Sequence, residues 1–390
     1  MSGTVFALSD EQQALLDETR ALARRALLPL CGAADEGEVN RPLLAALGES
    51  GLLGRLFPEA AWRADAATRA AGRRGVSAMT LCLMRQGLAS VATEAETALA
   101  LQGLGAYPIL QSGSAALVER WIPGVAAGRL CAGFALTEPG SGSDPAALVT
   151  RAERVDGGWR LEGRKIFISN APHADVYTVF ARTTEGAGSK GVSAFVVPGD
   201  AEGLAGESIP MLGEHPIGRL DFDGVFVPDA DLLGEVDQGF KVAMRTLELF
   251  RPSVGAFAVG MCEAALTLAV AHAGEREAFG HKLREFQGVS FQLADMAVRT
   301  EAARLLVYKA ASLFDAGVGR NARAAAMAKL YATETAQFVV DAAIQVFGGR
   351  ALEKGHLLEH LYRHVRAPRI YEGTSEIQRE ILAREMYRGE

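Results

Sequence analysis

Prolines divide this chain more sharply than any other feature. Seven of its 14 prolines fall between Cys131 and residue 235. Proline locks φ and removes a backbone N–H donor, so long helices are excluded from that stretch. Between the prolines run short stretches of alternating or β-branched residues: 159–169, 175–181, 192–197 and 220–227. They predict the strands of an antiparallel β-domain. On either side the apolar spacing is helical. Upstream, Ser9 and Gln12 fit a capping box with Leu15, Leu16, Leu22 and Leu27 recurring behind it, and Pro29 ends or kinks that helix. Further helical patterns cover 42–53, 78–101 and 114–125. Downstream, 240–250, 253–273, 287–315 and 322–347 read as long helices, as in a bundle. The expected organisation is an N-terminal helical domain over 1–128, a middle β-domain over 129–235 and a C-terminal helical bundle over 236–390. Strands do not alternate with long helices, which argues against a parallel nucleotide-binding sheet. Gly103-Leu104-Gly105 lacks a third glycine and a preceding strand, so it is no dinucleotide fingerprint.

Charge and cysteine usage narrow the function classes. A net charge of −7 over 390 residues argues against a general nucleic-acid or membrane-surface binder, so an anionic ligand needs a local basic site. Cys31, Cys82, Cys131 and Cys262 are far apart and have no CxxC spacing. Neither a metal site nor a disulfide framework is expected, and a reducing cytoplasm fits. The start, MSGTVFALSDEQ, lacks the basic and apolar regions of a signal peptide. The apolar run 253–273 carries Glu263 and His272 and reads as a buried helix, not a membrane span.

Four segments carry possible chemistry. In Tyr371-Glu372-Gly373-Thr374-Ser375 a carboxylate precedes a glycine, which lets a backbone pass close to a ligand. Ser375 with Gln378 fits a capping box for a helix bearing Ile377, Ile381, Leu382 and Met386. Taken alone, Glu372 also reads as a solvated residue favoured by a helix dipole. Phe134 to Pro145 holds two glycines, two serines and Thr137, and can offer N–H groups and hydroxyls to a ligand; it also reads as a turn-rich entry to the β-domain. Arg276 to Gln287 offers a guanidinium for a phosphate, or a plain helix–loop–helix corner. Gln345-Val-Phe-Gly348-Gly349 reads as a helix C-cap.

In this order and spacing, the four segments resemble the acyl-CoA dehydrogenase family over nearly the whole chain. The resemblance implies an N-terminal helical domain, a middle β-barrel, a C-terminal four-helix bundle, bound FAD, and commonly a homotetramer. It implies that Phe134, Leu136, Thr137, Gly142 and Ser143 line the flavin, with Ser143 also near the thioester. Phe167, Ile168 and Ser169 match the segment against the flavin ring. Many members have Trp where Phe167 stands, so the stacking face is kept and the indole N–H is lost. Arg276, Phe279 and Gln287 match residues that meet FAD across the subunit interface. Gln345, Gly348 and Gly349 match the adenosine-pyrophosphate end, and Thr374 and Glu376 match a further FAD contact. Glu248 and Arg251 match substrate contacts to pantetheine. The segment 210–222 departs from the family pattern and looks shortened, so the resemblance assigns no substrate contact to it.

The implied reaction is α,β-desaturation of an acyl-CoA or acyl-carrier-protein thioester, with electrons passing to an electron-transferring flavoprotein in fatty acid metabolism. Glu372 is the implied base, and the backbone N–H beside Gly373 helps bind the thioester oxygen. The family's other base position is occupied here by Phe250, which cannot ionise. Burial beside flavin and acyl chain is expected to raise the Glu372 pKa toward neutrality once substrate is bound, against the helix dipole. The alternatives are an oxygen-reacting oxidase or flavin monooxygenase on the same fold, or a non-catalytic descendant of it.

Overall fold

The computed structural model describes residues 7–64, 76–213, 215–317 and 321–388. Residue 214, inside the departing segment 210–222, lies outside them. The chain divides into two compact units. One comprises residues 1–25, 78–96 and 248–390, and the other comprises 26–77 and 97–247.

The first unit is helical. The helix Asp10–Leu22 starts on the expected capping box, in which Ser9 Oγ accepts from Gln12 N and Gln12 Oε1 accepts from Ser9 N. It packs on the helix Ala78–Ala89. The helices Gln287–Asp315 and Ala322–Phe347 pack along each other and have the bounds expected from their periodicity. The expected helices 240–250 and 253–273 form a single helix, Gly239–Glu275, running through Pro252. An interior proline costs roughly 3 kcal/mol. Burial of Leu249, Phe250, Val254, Ala256 and Phe257 around it offsets that cost. This helix is long and apolar enough to cross a membrane, yet 67% of its most apolar window is buried inside the protein. The expected helix 78–101 breaks between Ala89 and Thr93.

The second unit carries a seven-stranded sheet: β1 (Ala132–Ala135), β2 (Arg151–Val155), β3 (Gly158–Ser169), β4 (Val176–Arg182), β5 (Val192–Pro198), β6 (Leu204–Ser208) and β7 (Ile217–Pro228). The order is β1-β4-β2-β3-β7-β6, with β5 beside β4. The sheet is mixed, which corrects the antiparallel expectation: β1 and β2 both pair with β4 in parallel. β4 and β5 are almost wholly buried, so they read as continuous apolar runs. The helices Arg41–Glu49 and Leu52–Leu56 replace the single helix expected over 42–53, because Gly51 adopts φ 78° between them. Gly105, in the helix Thr93–Ser112, lies against the β1 backbone, and its carbonyl accepts from Thr178 Oγ1 at 2.8 Å.

Candidate active site

The Glu372 segment is built by a distorted turn. Glu372 has φ 51° and Gly373 φ 88°. A positive φ at a charged residue is strained backbone, of the kind held in place only by its surroundings. Here the surroundings are specific. Lys329 Nζ donates to Gly373 O at 2.6 Å, and Gln378 Nε2 donates to Gly373 O at 3.0 Å and to Glu372 O at 3.4 Å. A Cβ at Gly373 would sit 2.6 Å from Gln378 Nε2, so the glycine admits that amide. Ser375 Oγ donates to Glu334 Oε1 at 2.6 Å, and Arg369 pairs with the other oxygen at 2.9 Å.

The helix start differs from the capping box expected of Ser375 and Gln378. Thr374 is the N-cap, its Oγ1 accepting from Ile377 N at 3.3 Å, and Ser375 is the first residue of the helix Ser375–Tyr387. Gln378 is drawn instead to the two carbonyls before the cap. The adjacent Glu376 is exposed and sits 3.5 Å from Arg379.

Glu372 Oε2 is shut off from solvent and has no hydrogen-bond partner among the described residues. Burial raises the Glu372 pKa above the ordinary carboxylate range, against the pull of Arg85, Lys329 and Arg251. The direction is the one expected with substrate bound, but here burial by the chain itself produces it, and the opposing charges are three cations brought from distant chain positions. Burial likewise pushes Lys329 down to about 8. Arg251 has its Nε buried and unpartnered, and burial lowers its pKa despite Glu372 and Glu248. Phe250 is fully buried in the helix wall beside it.

Lys329 was legible as a signal. It occupies the stripe Ala325, Lys329, Ala332 and Ala336, which is otherwise small, apolar and buried. A charge on the buried face of a helix needs a partner.

At the opposite end of the helix Ala322–Phe347, His272 stacks on Phe347 with ring centroids 4.1 Å apart. That contact brings the Arg276 segment beside Gln345, Gly348 and Gly349. The expected corner after Arg276 is a tight hairpin, with Glu277–Ala278 paired to His281–Lys282. Its turn residues, Phe279 and Gly280, have φ 55° and 79°. Phe279 is 93% exposed. The side chains of Arg276, Gln287 and Gln345 make no hydrogen bond among the described residues. Gln345 lies 16 residues along the helix from Lys329, or about 24 Å at 1.5 Å per residue. This cluster therefore does not converge on Glu372 within one chain.

In the β unit the remaining candidates share a neighbourhood. Phe134 leaves β1 with its ring 4.9 Å from Phe180. Ile166 N donates to Thr137 O at 3.0 Å, tying the Phe134–Pro145 loop to β3. Beneath them Lys165 Nζ donates to Glu138 Oε1 at 2.7 Å and to Leu136 O at 3.1 Å. Leu136 and Ile168 are buried, whereas Gly142 and Ser143 are exposed. Phe167 sits where the β3–β7 register shifts, with φ 56°, and it is 53% exposed. Ser169 follows, half-buried. An exposed aromatic face above an open loop suits a flat ring ligand, and the unpartnered Arg276 suits a phosphate. Each unit by itself therefore carries residues of the kind that a dinucleotide with an aromatic ring system needs, the ring face in the β unit and the phosphate partner in the helical unit. Among the described residues no group of three side chains could hold a metal ion.

Comparison with known proteins gives a consistent answer. Residues 9–129, 133–225 and 237–387 match the N-terminal, middle and C-terminal domain models of acyl-CoA dehydrogenase. The chain is 35% identical over 386 residues to a cyclohexane-1-carbonyl-CoA dehydrogenase of Geobacter metallireducens, covering 98% of this chain and 99% of the relative. It is 34% identical over 354 residues to the caffeyl-CoA reductase-Etf complex subunit CarC of Acetobacterium woodii, covering 90% of each. The solved butyryl-CoA dehydrogenase of Megasphaera elsdenii superposes with a TM-score of 0.89 at 34% identity, covering 98% of this chain and 99% of that one.

Proposed function

The chain belongs to the acyl-CoA dehydrogenase family, and on that premise we propose that Glu372 is the base that takes the α-proton of its substrate. The protein is an FAD-dependent oxidoreductase that dehydrogenates an acyl-CoA thioester. The observation that carries the Glu372 assignment is its carboxylate oxygen, buried without a partner and raised in pKa by that burial. A carboxylate so placed holds a proton more readily than one in water, which moves it toward the range where general bases work. Arg85, Lys329 and Arg251 keep its ionised form accessible.

FAD, when bound, accepts the β-hydride. Phe134, Leu136, Thr137, Gly142, Ser143, Phe167, Ile168, Ser169, Thr374 and Glu376 would hold it, together with Arg276, Phe279, Gln287, Gln345, Gly348 and Gly349. The backbone N–H of Glu372, beside Gly373, would donate to the thioester oxygen and stabilise the developing enolate. Ser143, Glu248 and Arg251 would line the thioester and pantetheine path.

The cluster around Arg276 lies about 24 Å along one helix from the Glu372 segment. It presents an exposed Phe279, with Phe291 also 63% exposed. Both features support a homotetramer in which one copy completes the FAD site of another. An electron-transferring flavoprotein is the proposed acceptor, supported by the Etf complex to which the Acetobacterium woodii relative belongs. A cytoplasmic role in fatty acid metabolism follows from the same reading, as do domain limits near residues 128 and 235.

The test is anaerobic bleaching of the flavin by acyl-CoA thioesters. Glu372→Gln should retain FAD and slow bleaching about 10²–10⁴-fold. Undiminished bleaching removes Glu372 as the base. Stoichiometric hydrogen peroxide in aerobic turnover would favour an oxidase instead.

A further inference from the structure

We propose that Arg85 is a specificity-determining residue of the acyl site, selecting acyl groups that carry a neutral oxygen acceptor, a hydroxyl or keto group, at the γ-carbon or beyond. The proposal rests on Glu372 facing the substrate, as argued above.

Arg85 is the one basic residue between Gly75 and Glu119, set in a mostly apolar helix in which Gln86 follows it. It is 3% exposed. Its Nε donates to Glu96 and its Nη1 donates to Ser253 Oγ at 2.7 Å. Nη2 makes no hydrogen bond among the described residues, and it is not one of the polar atoms sealed from solvent. One guanidinium edge is therefore fixed by two partners while the other is left free. Arg85 itself belongs to the Glu372 neighbourhood, within Coulombic reach of both Glu372 and Tyr371. The Tyr371 hydroxyl is likewise without a hydrogen bond among the described residues. The wall next to them is apolar: Arg85 Cζ lies 5.9 Å from the centre of the Phe257 ring, one turn beyond Ser253 on the helix that also carries Arg251. A mostly apolar surface with two unpartnered donors is the pattern of a site that orients a ligand through a specific oxygen.

Charge decides which oxygen. Glu96 already balances Arg85, and both side chains are almost fully buried, at 3% and 1% exposure. A substrate carboxylate would have to share that guanidinium with Glu96 and enter beside Glu372. Three buried carboxylates would then compete for one neighbourhood, with a further ion to desolvate. A hydroxyl or keto oxygen accepts from Nη2 and adds no charge. A plain hydrocarbon acyl group leaves the buried donors unpaired, and such a loss corresponds to roughly 10–100-fold in selectivity.

The experiment compares acyl-CoA pairs of one carbon skeleton, with and without the γ or more distal oxygen, and with a terminal carboxylate as a third arm. Anaerobic flavin reduction gives the rate ratio within each set. Calorimetric binding of the same thioesters to the Glu372→Gln protein gives an affinity ratio without turnover. The oxygenated member should lead the plain one by about 10–100-fold in both measurements. The paired substitution Arg85→Met with Glu96→Leu leaves no lone buried charge and should bring the ratio toward one. A wild-type ratio near one, an unchanged ratio in the paired variant, or a lead for the carboxylate arm overturns the proposal. Reduction by plain thioesters with no preference leaves the dehydrogenase reading standing while this one falls. Reduction by no thioester overturns both.

Discussion

Two buried clusters of charge in this protein solve the same problem in opposite ways. In the β unit, Glu138 and Lys165 are each held by several partners. Glu138 accepts from Lys165 Nζ, from Val149 N at 2.6 Å and from Thr150 N at 3.0 Å, and Lys165 also donates to Leu136 O. In the helical unit, Glu372 faces Arg85, Lys329 and Arg251 with no hydrogen bond to any of them, and one oxygen is wholly unpartnered. The proton energetics diverge accordingly. Burial pushes Glu138 up, but Lys165 and the backbone donors outweigh it and hold the carboxyl below its ordinary range. For Glu372 burial wins. A multiply bonded ion pair fixes the loop that carries Thr137 and Gly142, whereas an underbonded carboxylate keeps its capacity to accept a proton. Buried charge alone marks neither structure nor catalysis. In this protein the hydrogen bonding around it distinguishes the bonded pair from the proposed base.

The largest expected effect comes from breaking the bonded pair. Lys165→Met strands Glu138 in the interior and should cost about 3–5 kcal/mol in denaturant titration, whereas Lys165→Met with Glu138→Leu should recover most of it. A double variant no more stable than the single one would show that the pair does more than neutralise itself. Lys329→Met acts on the other cluster. It removes a cation that favours ionised Glu372, so the acid limb of the pH–rate profile should move to higher pH. Activity at neutral pH should fall by roughly 3–10-fold. An unmoved limb would uncouple Lys329 from the proposed base.

The same variant gives a stability test with a definite sign. Burial puts the folded-state Lys329 pKa at about 8, against 10.5 as its ordinary value. The unfolded chain therefore binds more protons between those values, and this group's contribution to stability rises with pH from about 8 upward. The gap in stability between wild type and Lys329→Met should change in the wild type's favour between pH 7.5 and 9.5. The smallest effect is expected of Glu372→Gln. A carboxyl with a raised folded pKa adds stability that is present below the unfolded value and lost as pH rises through the folded one. Removing its charge should therefore raise Tm at pH 7–8 by about 1–3 °C. A lowered Tm would mean that the ionised carboxylate is better satisfied than its geometry indicates.

The long helices and the buried strands could be read from the chain because their apolar spacing is uninterrupted. Gln287–Asp315 and Ala322–Phe347 end where their periodicity ends. β1, β2 and β6 escaped because each has only four or five residues, and β6 is mostly exposed, so neither strand alternation nor a buried run marks it. The parallel pairing of β1 with β4 joins segments more than 40 residues apart, which no local pattern encodes. The same holds at the site. Glu372 stood out by its glycine and its position before a helix, but Arg85, Lys329 and Arg251 reach it only through tertiary packing. Pro252 misled for a physical reason: burial on both sides of it outweighed the rule that prolines end helices.

The left-handed backbone at Glu372 bears on how this sequence can change over generations. At φ 51° the position suits glycine or asparagine better than glutamate, by an amount on the order of 1 kcal/mol. Glutamate also carries the cost of its own burial. A lineage released from the need for a base at this point would gain stability through the first drift to glycine or asparagine. On the proposed role, glutamate occupies this backbone for proton transfer at a cost in stability, and a small residue in its place would mark a copy of this fold that has stopped doing the chemistry.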